Sequence, residues 1–396
     1  MCFELPTLRG QFFICARRSA LAALWAMGLP AWSGVLHVVN PAELAEVTAA
    51  QGFASAYSLE ANTFMANSGM GPLFAGEVYK GDVKYAPRSG KNLAIIQSML
   101  ALGYERPGWR FSVFKKQDAW LEIEEKTLDV LSANMAGRAL PSSQAMPVGV
   151  QFAGYEATGL KVEKAFGFQG VGQQTWALGL GVSALMGNSL RLTEANGTVQ
   201  QTNAAYLFNV NTNDSASSAT YPFIRDAKVS AEGYALDVGA RYRLNAQQTL
   251  GLAVNDAFSS VVWQNMPHTQ LTINNQQAGK DENGFARPSL TGMNDVNRRV
   301  ITQTLDPKYQ MDWVHADANK RWRVVGQSMR SHAMAGLSHG LRLAGDHWVE
   351  VGWESYFNAL SFGYQGKYAK VIYRTRQPLS DQGNVNELGI TGFLRF

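Results

Sequence analysis

Five charged residues in the last fifty positions, Glu350, Glu354, Lys370, Arg374 and Arg376, fall at even spacings inside alternating runs. In "HWVEVGWE", Glu350, Gly352 and Glu354 share one face of an extended chain, and Val349, Val351 and Trp353 share the other. In "KYAKVIYRTR", Lys370, Arg374 and Arg376 oppose Ala369, Val371 and Tyr373. Strand side chains alternate, so each set is a row on one side of a sheet. Such rows can line a polar passage, where they hold a plug by ion pairs or bias the passage toward polar solutes. Equally, they can pair with one another across strands and brace the wall. These five are the candidate lumen-lining residues.

The remaining chemistry is sparse. The six histidines, His37, His268, His315, His332, His339 and His347, show no metal-ligand spacing, and His332 and His339 fall on opposite faces of one strand. No phosphate-binding Gly-rich loop, nucleophile elbow or H-E-x-x-H pair occurs. No histidine has a serine two residues after it, a spacing found in membrane-embedded lipid hydrolases. The reading is a protein that is not an enzyme, with no catalytic residues, metal or cofactor. Net charge is only +4 and dispersed, without the clustered basic face that nucleic acid requires.

The elements that must position the charged rows are strands. "RPGW" sits between "NLAIIQSMLALGYE" and "RFSVFKKQ", placing Pro and Gly between two β-prone runs, which is hairpin chemistry. Further runs follow at "PVGVQFAGYEAT", "QTWALGLGVSAL", "EGYALDVGARYRL" and "RWRVVGQSM", with no helical periodicity between them to suggest βαβ units. In the terminal "ELGITGFLRF", Leu388, Ile390, Gly392, Leu394 and Phe396 form an apolar face, as a strand that closes a barrel would. Two helices are expected: a short one at "NPAELAEVTAAQ", with Asn40 as N-cap and Pro41 in the first turn, and one at "KTLDVLSANMAGRAL", with Leu128, Leu131 and Met135 on one face. Polar stretches from about 192 to 228 and 265 to 299 read as long loops on one side of the membrane.

The amino end has the form of a secretory signal. Arg17 and Arg18 precede an uncharged run through Leu36, and small residues lead to a cut between Ser33 and Gly34. A membrane-spanning helix is the rival for this stretch. Both cysteines, Cys2 and Cys15, precede the cut, so the mature chain would carry no disulfide or thiolate site. The expected division is a signal over 1–33, a periplasmic or lumenal segment with the first strand over 34–91, and a barrel over 92–396.

"YALDVGARYRLNAQQTLGLAVNDAF", followed by "WQNMPH", resembles a strand-turn-strand segment of outer-membrane proteins related to the fatty-acid transporter FadL, particularly the TraF-like subgroup. "VEVGWESYFNALSFGYQG" is similar to a late hairpin of that group, and Leu394 and Phe396 match the final positions of the signal read by barrel-assembly machinery. The "NPAG" segment of FadL relatives is absent, so fatty-acid transport is not carried over. At roughly 20 to 25 residues per strand with its loop, the region after Lys91 holds about 12 to 14 strands; together with the resemblance this gives the expectation of an all-β, transmembrane antiparallel β-barrel in the outer membrane of a Gram-negative bacterium, in contact with outer-membrane lipid. Its expected role is passage of a small molecule, with a hydrophobic one among the options. The alternatives are a non-transporting component of a conjugal-transfer or secretion system, and a secreted soluble β-sandwich or adhesin.

Overall fold

The computed structural model describes residues 36–45, 55–68, 88–135, 139–140, 144–169, 175–201, 206–220, 228–274, 278–280, 286–288, 291–344, 347–376 and 385–395. Ser33, Gly34 and Phe396, and with them the signal, its cleavage site and the last residue of the assembly signal, lie outside the described residues.

The wall begins with β1 (Ala56–Asn67), β2 (Lys91–Arg106), β3 (Trp109–Glu124), β4 (Met146–Gln169) and β5 (Thr175–Gln201), each antiparallel to the next. Two strands then share one column: β6 (Tyr206–Ala216) pairs with the far end of β5, and β7 (Ser230–Arg243) pairs with its near end. β8 (Gln248–Asn274) runs along both. A detached hairpin, β9 (Ala278–Lys280) with β10 (Ala286–Pro288), precedes a second shared column, in which β11 (Thr291–Gln303) lies beyond β12 (Lys308–Ala316) along β8. Six short strands complete the circuit: β13 (Lys320–Met329), β14 (His332–Ala344), β15 (His347–Glu354), β16 (Ala359–Gln365), β17 (Ala369–Thr375) and β18 (Val385–Arg395).

β18 pairs with β1 from Ala56 opposite Arg395 to Ala66 opposite Val385. The sheet is thus a closed antiparallel barrel of 14 strands around the circumference. Closure pairs the backbone groups that a free edge would leave bare, a condition for a sheet to cross hydrocarbon. Among the described residues no helix is long and apolar enough to cross a membrane.

The polarity of the two faces is the reverse of a soluble sandwich. On β15, Val351 and Trp353 are 52% and 45% exposed, while Glu350 and Glu354 are 5% and 2% exposed. The same holds around the wall: Leu59, Leu102, Leu160, Leu180, Val324 and Leu394 point out, whereas Lys308, Asp312, Arg323 and Glu387 point in. An apolar exterior over a charged interior has no stable solution in water but suits a membrane-spanning barrel, which removes the soluble β-sandwich or adhesin. Aromatic pairs mark the exterior near the short turns, as in Trp176 stacked on Tyr242 at 4.1 Å and Tyr57 against Tyr104 at 5.3 Å. Tyr234, Phe258, Tyr309, Trp353 and Tyr373 form a second exposed belt toward the other end.

One end of the barrel has tight turns, such as Pro107-Gly108, where Gly108 has φ +70°. At the opposite end, β5, β6, β8 and β11 continue past the apolar belt as paired strands. The polar stretches expected as loops are therefore largely strand: with water on both faces the sheet needs no apolar row, and the alternation that announces a strand is missing. The expected helix is present as α1 (Glu125–Met135). Its Leu128 packs on the outward-facing Ala94 and Ile123, so α1 covers the outside of the rim and does not cap the mouth; Leu131 is exposed.

Candidate functional site in the barrel lumen

Residues 36–45 lie inside the barrel. Leu36 to Asn40 belongs to no strand or helix, with Asn40 in extended backbone, and Pro41–Glu43 forms a single helical turn in which the Asn40 side chain accepts from the Ala42 N–H at 3.0 Å, as an N-cap should. A chain away from the sheet has no ladder partner, so its backbone groups must be met by side chains. Gln327 of β13 does this for Leu36: its Oε1 accepts the Leu36 N–H at 2.8 Å and its Nε2 donates to the Leu36 carbonyl at 2.8 Å. Asn255 of β8 repeats the arrangement at Val39, at 2.7 and 2.8 Å. A side-chain amide carries the same donor and acceptor as a peptide, so two wall residues imitate a neighbouring strand. The His37 N–H donates to Gln97 at 3.2 Å, and Asn40 Nδ2 donates to the Ala240 and Leu252 carbonyls at 3.2 and 3.1 Å.

The wall is cut away to admit this segment. A Cβ at Gly179 would stand 2.2 Å from the Ala42 nitrogen, and one at Gly239 would stand 2.1 Å from Asn40 Oδ1. The first conflict is with backbone, so no rotamer change relieves it. Glu43 faces Arg241 at 3.6 Å, and His37 faces Glu60 at 3.3 Å.

On the short-turn side of the segment is a cavity of about 120 Å³. Its lining includes a chain of ion pairs. Arg110 bridges Glu105 at 2.7 Å and Glu163 at 3.4 Å, and Lys161 bridges Glu163 at 3.0 Å and Asp237 at 2.6 Å. Asp237 accepts the Asp256 N–H at 2.8 Å, and the Asp256 carboxylate lies 3.1 Å from Lys116 and 4.0 Å from Lys308, which also pairs with Asp118. Asp256 reaches this position through a shift in β7–β8 register between Leu236 and Val238, with φ 55°. A left-handed non-glycine residue costs on the order of 1–3 kcal/mol and persists only where its surroundings require it.

In the other half of the lumen an apolar cluster packs against the segment. Leu36 and Val38 of the segment pack with Phe64, Leu93, Met329 and Phe357. Above them Glu122 gathers Lys91 at 3.2 Å, Arg330 at 3.1 Å and His332 at 2.9 Å, and His332 is joined to the Tyr356 hydroxyl at 2.9 Å. A second cavity, of about 230 Å³, lies beside this knot between Trp120, Tyr155, Leu192, Leu305 and Arg330.

The five sequence-selected charges all lie on or beside the inner face, but they do not pair as two opposed rows. Glu350 meets Arg321 at 2.8 Å and accepts from the Ser338 hydroxyl. Arg374, wholly buried, meets Glu387 at 2.9 Å on β18. Glu354 caps the β15–β16 turn by accepting the Tyr356 and Phe357 N–H groups, the latter at 2.8 Å. Lys370 lines a small recess with His37 and Glu60, and Arg376 is half-buried just past β17. Leu394 points outward on the closing strand. Sequence reasoning missed Gln327, Asn255 and Gln97, whose uncharged amides look unremarkable one at a time. One signal was legible: the consecutive polar pair Asn255-Asp256 interrupts the alternation of "LGLAVNDAF" at the register shift.

No protein-family model matches the sequence, and no curated protein matches it. Among solved structures, the chain is similar to the toluene transporter TodX of P. putida (9% identity, TM-score 0.43, covering 94% of this chain and 96% of that one). It is similar also to a deltaS2 mutant of the TodX monoaromatic hydrocarbon channel (10% identity, TM-score 0.43, 93% and 96% covered). A Pseudomonas aeruginosa FadL homologue is a third such structure (11% identity, TM-score 0.39, 93% and 98% covered). At this distance the likeness is one of architecture, to FadL-family outer-membrane channels.

Proposed function

We propose that this chain is an outer-membrane channel of a Gram-negative bacterium that passes a small molecule and is held shut by its own N-terminal segment. The observation that carries the reading is how the segment is held: by side-chain amides and close packing, not by pairing into the sheet. Eight hydrogen bonds join it to the wall among the described residues, the Asn62–His37 side-chain contact at 3.2 Å included, and are worth about 1 kcal/mol each. Burial of Leu36, Val38 and Leu44 adds roughly 2 kcal/mol apiece. Ordering the segment's backbone costs on the order of 1–2 kcal/mol per residue. The sides nearly balance, so the plug can leave without dismantling the wall. By the habit of such barrels, the short turns face the periplasm and the tall sheet faces outward. Insertion then relies on the barrel-assembly machinery and on outer-membrane lipid.

The test is conductance of the purified full chain in planar bilayers. Wild type is expected near baseline, and Gln327→Ala/Gly179→Val, which removes two bonds and fills the space of Ala42, is expected to conduct. A variant that keeps heat-modifiable migration, the mark of a folded barrel, yet conducts no better than wild type would overturn the reading. A second reading, an accessory role in a transfer or secretion complex, is favoured by the polar sheet of β5, β6, β8 and β11 beyond the apolar belt. It predicts co-purification with such a complex through that sheet and no conductance from either protein.

A further inference from the structure

Resting on the channel reading above, we propose that the cavity of about 120 Å³ in the short-turn half of the lumen binds a small zwitterion, a solute the size of an unsubstituted amino acid carrying one ammonium and one carboxylate.

The charge pattern of the lining selects for this class. The cavity is bounded by four fixed cations, Arg110, Lys116, Lys161 and Lys308, and by five carboxylates, so neither sign prevails. A solute of one sign competes with one partner of a pair and leaves the other buried without its counter-ion. A dipolar solute can insert into a pair such as Lys116–Asp256, its carboxylate facing the lysine and its ammonium facing the aspartate. One ion pair becomes two, and no charge is stranded. An apolar solute gains nothing from these groups.

Size and shape agree. An apolar cavity of about 150 Å³ takes benzene, so the observed volume suits a molecule of about five or six heavy atoms. Met99, Phe114 and Phe393 supply an apolar side for a methylene or methyl group. Asp256 marks the site as built. A brace could be made from a carboxylate on the regular inward row, whereas Asp256 is brought to the lumen by a register shift and a left-handed backbone. Its neighbour Asn255 also holds Val39 of the plug, so solute and plug engage adjacent residues of one strand.

The experiment compares swelling of proteoliposomes in glycine with swelling in glycolamide, its uncharged isomer, using the full-length Gln327→Ala/Gly179→Val protein. Glycine uptake is expected to saturate and to exceed glycolamide uptake about tenfold at low concentration, the factor for one retained charge-assisted contact. Asp256→Asn and, separately, Lys116→Met, each checked for heat-modifiable migration, are expected to bring that ratio to about one. Equal uptake of the isomers, or faster uptake of glycolamide, overturns the zwitterion site and leaves the channel standing. A ratio that survives both substitutions also overturns the site. Uptake of neither solute overturns the channel and the site together.

Discussion

β5 and β8 each run 27 residues, whereas β15, β16 and β17 on the opposite wall run 8, 7 and 7. On the short side almost every residue has hydrocarbon behind it or the lumen in front of it, and the side chains alternate strictly. On the tall side the strands leave the apolar belt and continue as a largely polar sheet, held by backbone pairing and scattered polar side-chain bonds such as Thr272 to Asn211 at 2.8 Å and Arg191 to Asp214 at 3.3 Å. The membrane, more than the sheet itself, writes the period of two into the sequence.

Four substitutions sharpen or break this comparison. The largest effect is expected at Arg374 on the short wall, wholly buried against Glu387 at 2.9 Å. Arg374→Ala strands the Glu387 carboxylate and should cost about 3–5 kcal/mol in urea unfolding; a loss under 1 kcal/mol would mean that water reaches the pair. Next, Val351→Arg puts a charge on the lipid face and should cost about 2–4 kcal/mol, whereas Asn209→Arg, exposed on β6 in the tall sheet, should stay within about 0.5 kcal/mol. Equal effects at the two positions would erase the distinction between the walls.

The smallest effect is expected at the β12–β13 turn. There Asp317 accepts the Asn319 and Lys320 N–H groups at 2.8 and 2.7 Å, and these bonds hold its carboxyl below the usual carboxylate range. A depressed pKa contributes stability that is present above the ordinary value, about 3.9, and is lost as pH falls through the lowered one. The small gap in unfolding midpoint between wild type and Asp317→Ala should therefore be constant near neutrality and close in strong acid. A gap that widens on acidification would reverse the sign.

What could be read beforehand follows the same division. Val349 to Glu354 and Leu388 to Leu394 declared their faces because each side chain meets one of two opposite solvents. Asn40 and Pro41 declared a helical turn because the cap is local, satisfied two residues away. The tall sheet gave no such sign, since Asn, Thr, Asp and Ser on β6 tolerate water on either face. The lumen site was mostly illegible for another reason. Gln327, Asn255 and Gln97 acquire their role only when residues 291, 216 and 60 positions distant come to face them. Likewise, Arg374 selects Glu387 on the next strand rather than Glu350 or Glu354, and cross-strand register is not written in either strand alone.

The docking of residues 36–45 bears on the order of events during folding. Its anchors come from β2, β7, β8 and β13, which are remote in sequence and converge only once the cylinder is rolled. A segment that precedes every strand of the wall is then the last to settle, and protection of the Leu36 and Val39 amides from hydrogen exchange would time the completion of assembly.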